Sequence, residues 1–306
     1  MSETVNSESA DTLSGLLHRL KFSAKVFLRA DFCGLWAVDT SGEHRVPFHL
    51  VTRGEGWLHL ANKEPQKLLP GHLVLFPDDK PHVLASSEKP PDPNIVNQGP
   101  PQRLEGLVTT LVCGYFAFDQ KAALPLLNSL PNIMVLDLGD TASCGAREAV
   151  QLWMREAAEQ TLGSDIAIDL LAELVFIHVL RTELAAGRLR GIMSALADPK
   201  LGPVLAAIHQ DPTVDHQITQ MAVTANMSES AFSQRFKRTV GMTPGKYVRH
   251  WRMHMAQREL LETERSIAEI SNSLAYESEV AFRKAFKAFF GEPPAQLRQR
   301  KRDSKQ

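Results

Sequence analysis

Read for the spacing of its apolar residues, the chain changes character twice. From Ala30 to about Phe118 they come in short runs broken by Gly, Pro and charged positions: residues 35–38, 48–52, 57–60, 73–76, 82–84 and 107–113. Runs of that length predict strands, and so many in succession predict an antiparallel sandwich or barrel. Five prolines between Ser87 and Gln102 remove too many N–H donors for a paired strand, so this stretch is expected as a loop at the barrel mouth or edge. After Gly139 the spacing becomes helical. Val150, Trp153, Met154 and Ala157 share one face, and Ile166, Leu170, Leu174 and Ile177 recur in a second helix that reads as buried. The two form a hairpin. Residues 187–202, with Asp198-Pro199 and Gly202-Pro203, read as a linker.

The last third is helical throughout and repeats itself. At an offset of 50 residues Ser228, Glu229, Ala231, Phe232, Phe236, Lys237, Gly241 and Pro244 recur as Ser278, Glu279, Ala281, Phe282, Phe286, Lys287, Gly291 and Pro294. Each copy predicts a short helix (218–224; 267–274), a tight turn, and a second helix opened by a serine N-cap with phenylalanines at i and i+4 forming the buried stripe. This is a helix-turn-helix pattern, whose second helix enters the major groove of DNA. The residues expected to face DNA are Ser230, Ser233, Gln234, Lys237 and Arg238 in the first copy, and Glu279, Ala281, Arg283, Lys284 and Lys287 in the second. The plainer alternative is a helical repeat with solvated charged faces. Between the copies, residues 244–261 predict one helix, long enough at about 27 Å to hold two recognition helices near the ~34 Å repeat of the groove.

Charge favours the DNA reading. Residues 200–306 hold 17 Lys+Arg against 11 Asp+Glu, which leaves the rest of a chain of net charge −1 acidic. A length of 306 residues suits two domains. Cys33, Cys113 and Cys144 are too few and too scattered for a disulfide framework, which points to a reducing compartment. The first residues lack a secretory signal pattern, and the most apolar stretch, 166–184, carries five ionisable residues, so a cytoplasmic protein without a membrane partner is expected.

Several stretches resemble a known family. Leu-Ala-Ala-Ile-His (205–209), Met-Ser-Glu-Ser-Ala-Phe (227–232), Trp-Arg-Met (251–253), Tyr-Glu-Ser-Glu-Val-Ala-Phe (276–282) and Phe-Gly (290–291) resemble the double helix-turn-helix domain of AraC/XylS transcription regulators. Phe-His-Leu-Val-Thr-Arg-Gly (48–54), Gly-His-Leu-Val-Leu-Phe-Pro (71–77), Pro-His (81–82) and Leu-Val-Cys-Gly (111–114) resemble the cupin-type sensor of one branch of that family. The resemblance implies an α+β multidomain chain: a poorly ordered N-terminus (1–21), a cupin-like barrel (22–140), a helical hairpin that dimerises (141–186), a linker (187–202), an all-α double helix-turn-helix domain (203–302) and a tail (303–306). It implies double-stranded DNA, RNA polymerase, an unidentified effector and a second copy of the chain as partners, and a regulatory rather than enzymatic role. The rival is a metal-dependent cupin enzyme fused to a DNA- or partner-binding helical domain.

The sequence departs from the family pattern in both helix-turn-helix turns, where Asn226 and Ala275 replace glycine, and at His216-Gln217-Ile218-Thr219, where a Trp-Thr opening is usual. In the barrel, His49, His82 and Cys113 fall on predicted strands at positions that related cupins point inward. Two imidazoles and a thiolate suit Zn²⁺ or a similar metal. The alternative is two hydrogen-bonded core histidines and a small core thiol.

Overall fold

The computed structural model describes residues 12–43, 45–100, 106–118, 120–138, 144–159 and 161–303. The chain divides into two compact units, one of Lys21–Leu189 and one joining Met1–Leu20 to Arg190–Gln306.

The first unit contains β1 (Ser23–Cys33), β2 (Ala37–Val38), β3 (Val46–Arg53), β4 (Gly56–Leu60), β5 (Gln66–Leu68), β6 (His72–Leu75), β7 (His82–Ala85), β8 (Val108–Ala117) and β9 (Met134–Asp137). They form a five-stranded sheet ordered β1-β8-β3-β6-β9 and a four-stranded sheet ordered β2-β7-β4-β5, with all paired strands antiparallel. Phe32, Trp36, Val51, Leu58, Val74, Phe76, Leu84, Leu111 and Cys113 form its hydrophobic core. β3 is buried on both faces because one meets the barrel core through Val51 and the other the helical layer through Phe48, which explains its nearly unbroken apolar sequence. β1 was absent from the sequence pattern for a physical reason: the register slips between Val26 and Leu28, so a bulge moves its alternation from one face to the other.

The larger sheet's second face carries the helical hairpin. After α2 (Gln120–Leu127), helices α3 (Cys144–Glu159) and α4 (Ser164–Ala185) pack there through Trp153 and Phe176. Ring centroids lie 5.6 Å apart for Phe48–Trp153 and 4.5 Å for Phe116–Phe176. Asp169 and Glu173 of α4 accept hydrogen bonds from Val26 N–H (2.7 Å) and Ala24 N–H (3.1 Å), which occupies free donors on edge strand β1. The hairpin is as expected, but its burial is not. Ile168, Ala172, Val175, Phe176, Val179 and Leu180 face inward, while Ile166, Leu170 and Leu174 are 69%, 58% and 41% exposed. α4 is apolar on both sides, so periodicity alone cannot say which side meets the sheet.

The second unit contains α1 (Thr12–Arg19), α5 (Gly191–Ala197), α6 (Gly202–Gln210), α7 (Ile218–Thr224), α8 (Glu229–Val240), α9 (Pro244–Glu262), α10 (Ile267–Ser273), α11 (Glu279–Phe290) and α12 (Pro294–Asp303). The N-terminal stretch expected to be poorly ordered holds α1, which packs on α6 with Leu16, Leu17 and Leu20 buried; residues 1–11 lie outside the described ones. The stretch expected as a linker holds α5, packed against α6 and α8. Met253, Ala256, Leu260, Ile270, Leu274, Phe282, Phe286 and Leu297 form the core around the second helix pair. Phe232, Phe236, Tyr247 and Trp251 are the buried aromatics of the first. Among the described residues no helix is long and apolar enough to cross a membrane.

Candidate functional site

In the second unit the two helix pairs are built alike. Ser228 Oγ accepts from Ala231 N–H and Ser278 Oγ from Ala281 N–H, so both expected N-caps are present. α8 and α11 end at Gly241 and Gly291, both left-handed. In the turns Asn226 (φ 50°) and Ala275 (φ 56°) take the left-handed backbone conformation. Met227 N–H donates to the Ala222 carbonyl (2.9 Å) and Tyr276 N–H to that of Ser271 (3.2 Å), closing the preceding helix the same way in each copy.

Opposite the buried phenylalanines, Ser230, Gln234, Lys237 and Arg238 are exposed on α8, and Ala281, Arg283, Lys284 and Lys287 on α11; Ser233 is half-buried. Glu279 differs, being half-buried and ion-paired with Arg283 at 2.5 Å along α11. Two residues of these helices escaped the sequence reading. Val280 is 77% exposed, and the spacing 280, 284, 287 opposite Phe282 and Phe286 was the signal for it. Arg235 of α8 reaches Asp198 at 2.6 Å, before α6, and so braces the first recognition helix. Burial alone would raise the Asp198 carboxyl pKa, but Lys200 N–H, Arg235 and Leu201 N–H hold it below its ordinary value.

In the barrel His49 and His82 come together, with their Nε2 atoms 2.9 Å apart and Thr40 Oγ1 at 3.1 and 3.4 Å from them. The Lys80 carbonyl lies 2.7 Å from His82 Nδ1 and can only accept, so that nitrogen carries hydrogen and His82 Nε2 is the acceptor for His49. His49 Nδ1 is then a buried acceptor with no partner among the described residues. Burial pushes both imidazoles below their ordinary pKa, for His49 with a further push from His82 and for His82 against the Lys80 hydrogen bond and the charges of Asp39 and Asp79.

Of the three expected donors, the structure brings the two imidazoles together. Cys113 sits opposite His49 in the β3–β8 ladder and belongs to the apolar core, where burial pushes its thiol pKa up. Among the described residues no group of three His, Cys, Asp or Glu side chains converges as a metal site. His49 and His82 hydrogen-bond each other through Nε2, and Thr40, which contacts both, lines a cavity of about 790 Å³.

Phe27, Leu28, Val38, Thr40, Arg45 and Tyr115 contribute to the cavity walls, and Asn97 to Pro100 of the proline-rich loop border it. Arg45 lies 3.9 Å over the Tyr115 ring. Asp39 is occupied by Ser41, and Asp79 by Gly42 N–H. Among the described residues no carboxylate pairs with Arg45. The volume suits a small organic molecule.

A double-sheet barrel with a mouth cavity, joined to two helix-turn-helix units with exposed cationic second helices, defines the class: a DNA-binding protein carrying a cupin domain. Residues 11–185 match the family described as Cupin, and residues 221–300 match the helix-turn-helix domain family. The chain is 30% identical to a putative AraC-like transcription regulator of Streptomyces lividans, over 94% of this chain and 98% of that protein. It is 28% identical to an uncharacterized HTH-type transcriptional regulator of Haemophilus influenzae, with the same coverage of 94% and 98%. To the HTH-type transcriptional regulator MtrA of Neisseria gonorrhoeae it is 29% identical, over 82% and 85%. The chain belongs to the AraC-like family of transcription regulators, with a cupin domain at its N-terminal end.

Proposed function

We propose that this regulator binds a small amphipathic effector at the barrel mouth and acts on DNA as a homodimer joined through α4. The cavity carries the sensing reading. Its apolar walls take the body of a ligand, and the Arg45 guanidinium, over the Tyr115 ring and without a carboxylate partner among the described residues, is placed for an acceptor group. An effector that binds one conformation better shifts the population, and with it promoter affinity, by its difference in affinity. The α4 stripe of Ile166, Leu170 and Leu174 supports self-association.

Gly99→Trp tests the cavity. A Cβ there meets nothing within 4 Å, so the indole can occupy the mouth without disturbing the backbone. A reporter driven by the protein's own upstream region should lose its response to growth conditions in this variant while DNA binding in vitro is unchanged. A response equal to wild type would refute the sensing reading.

A further inference from the structure

We propose that Val280 reads the C5-methyl group of a thymine, and so sets a base preference in the half of the site met by α11. The inference rests on the DNA-binding role of that helix. At 100° per residue, positions 280, 284 and 287 lie opposite the buried Phe282 and Phe286. Lys284 and Lys287 are what a face turned to phosphates and guanine edges calls for. Val280 is not: it is 77% exposed and so contributes little burial to folding. At the matching position of the first copy stands the polar Ser230.

Its place on the helix supplies the chemistry. Val280 lies in the first turn of α11, and the N-terminal residues of a recognition helix are those that meet base edges. Ala281 beside it is small and exposed, leaving the approach to the groove floor open. The major groove offers one apolar group, the thymine methyl, whereas the donors and acceptors of other edges lose water against an isopropyl group without gaining a partner. Valine in a helix is also held in one dominant rotamer, so its methyls are presented without ordering a flexible chain. The half-site read by α11 should therefore contain a thymine for which the half-site read by α8, through Ser230 and Gln234, has no counterpart.

The test uses the full-length protein and a library of random DNA duplexes. Wild type should enrich a site with one thymine whose preference disappears in Val280→Ser while every other position is kept. Replacing that thymine by deoxyuridine removes only the methyl and should weaken wild-type binding about fourfold, with no change for Val280→Ser. Equal melting curves for the two proteins separate recognition from folding. An unaltered thymine preference in Val280→Ser, or the same deoxyuridine effect in both proteins, would overturn the assignment. If wild type enriched no sequence at all, the DNA-binding reading beneath it would fall as well.

Discussion

Ala275 is the position where the backbone conformation and the residue type disagree most plainly. It closes the turn between α10 and α11 at φ 56°, where an L-residue is strained by about 1–2 kcal/mol. Replacement by glycine relieves that strain and costs about 0.4–1 kcal/mol through the freer unfolded chain. The methyl group is exposed, so little burial is lost. The balance favours Ala275→Gly by roughly 0.5–1 kcal/mol, which in a unit of this size is a rise of about 2–6 °C in melting temperature. Asn226, at φ 50° in the matching turn, tolerates this conformation better, and Asn226→Gly should gain less. Calorimetry of the full chain reads both, with the second unit's transition identified by its drop in Phe282→Ala, where the buried ring is worth about 3–5 kcal/mol. If Ala275→Gly leaves that transition unmoved or lowers it while Phe282→Ala shifts it, the strain argument is wrong.

Lys237→Ala and Lys287→Ala should each weaken binding to all DNA sequences alike and reduce the salt dependence of log K by about one unit, measured by titration at several salt concentrations. Gln234→Ala and Lys284→Ala should instead relax base preference, each in its own half of the site, by about 1–3 kcal/mol in a binding-site selection. Leu170→Glu on α4 should convert a dimer to a monomer in light scattering; a wild type that is monomeric at micromolar concentration would refute the α4 interface. Because His49 and His82 are both held below the ordinary 6.5, barrel stability should be complete above about pH 6.5 and fall at lower pH, as the unfolded chain takes up protons that the folded barrel refuses. The slope is at most about 1.4 kcal/mol per pH unit for each imidazole, and urea unfolding of a His49→Leu, His82→Leu double variant should flatten it.

The helix-turn-helix units were legible in the sequence because local rules decide them. Serine caps, phenylalanines at i and i+4 and closing glycines act within one or two turns, and their recurrence at a fixed offset shows two copies of one device. Most of the barrel strands were legible through short runs and turns for the same reason. What tertiary structure decided is what depends on more than one element. Periodicity found the Ile166, Leu170, Leu174 stripe but not its exposure, since α4 has a second apolar face and only the sheet selects between them. β1 was hidden by a bulge whose cause lies in its pairing with β8. The resemblance to cupins placed His49, His82 and Cys113 toward the interior, yet whether their donor atoms converge depends on the register between strands and on where each side chain can reach. There the two imidazoles meet, while the thiol lies among the apolar residues of the core.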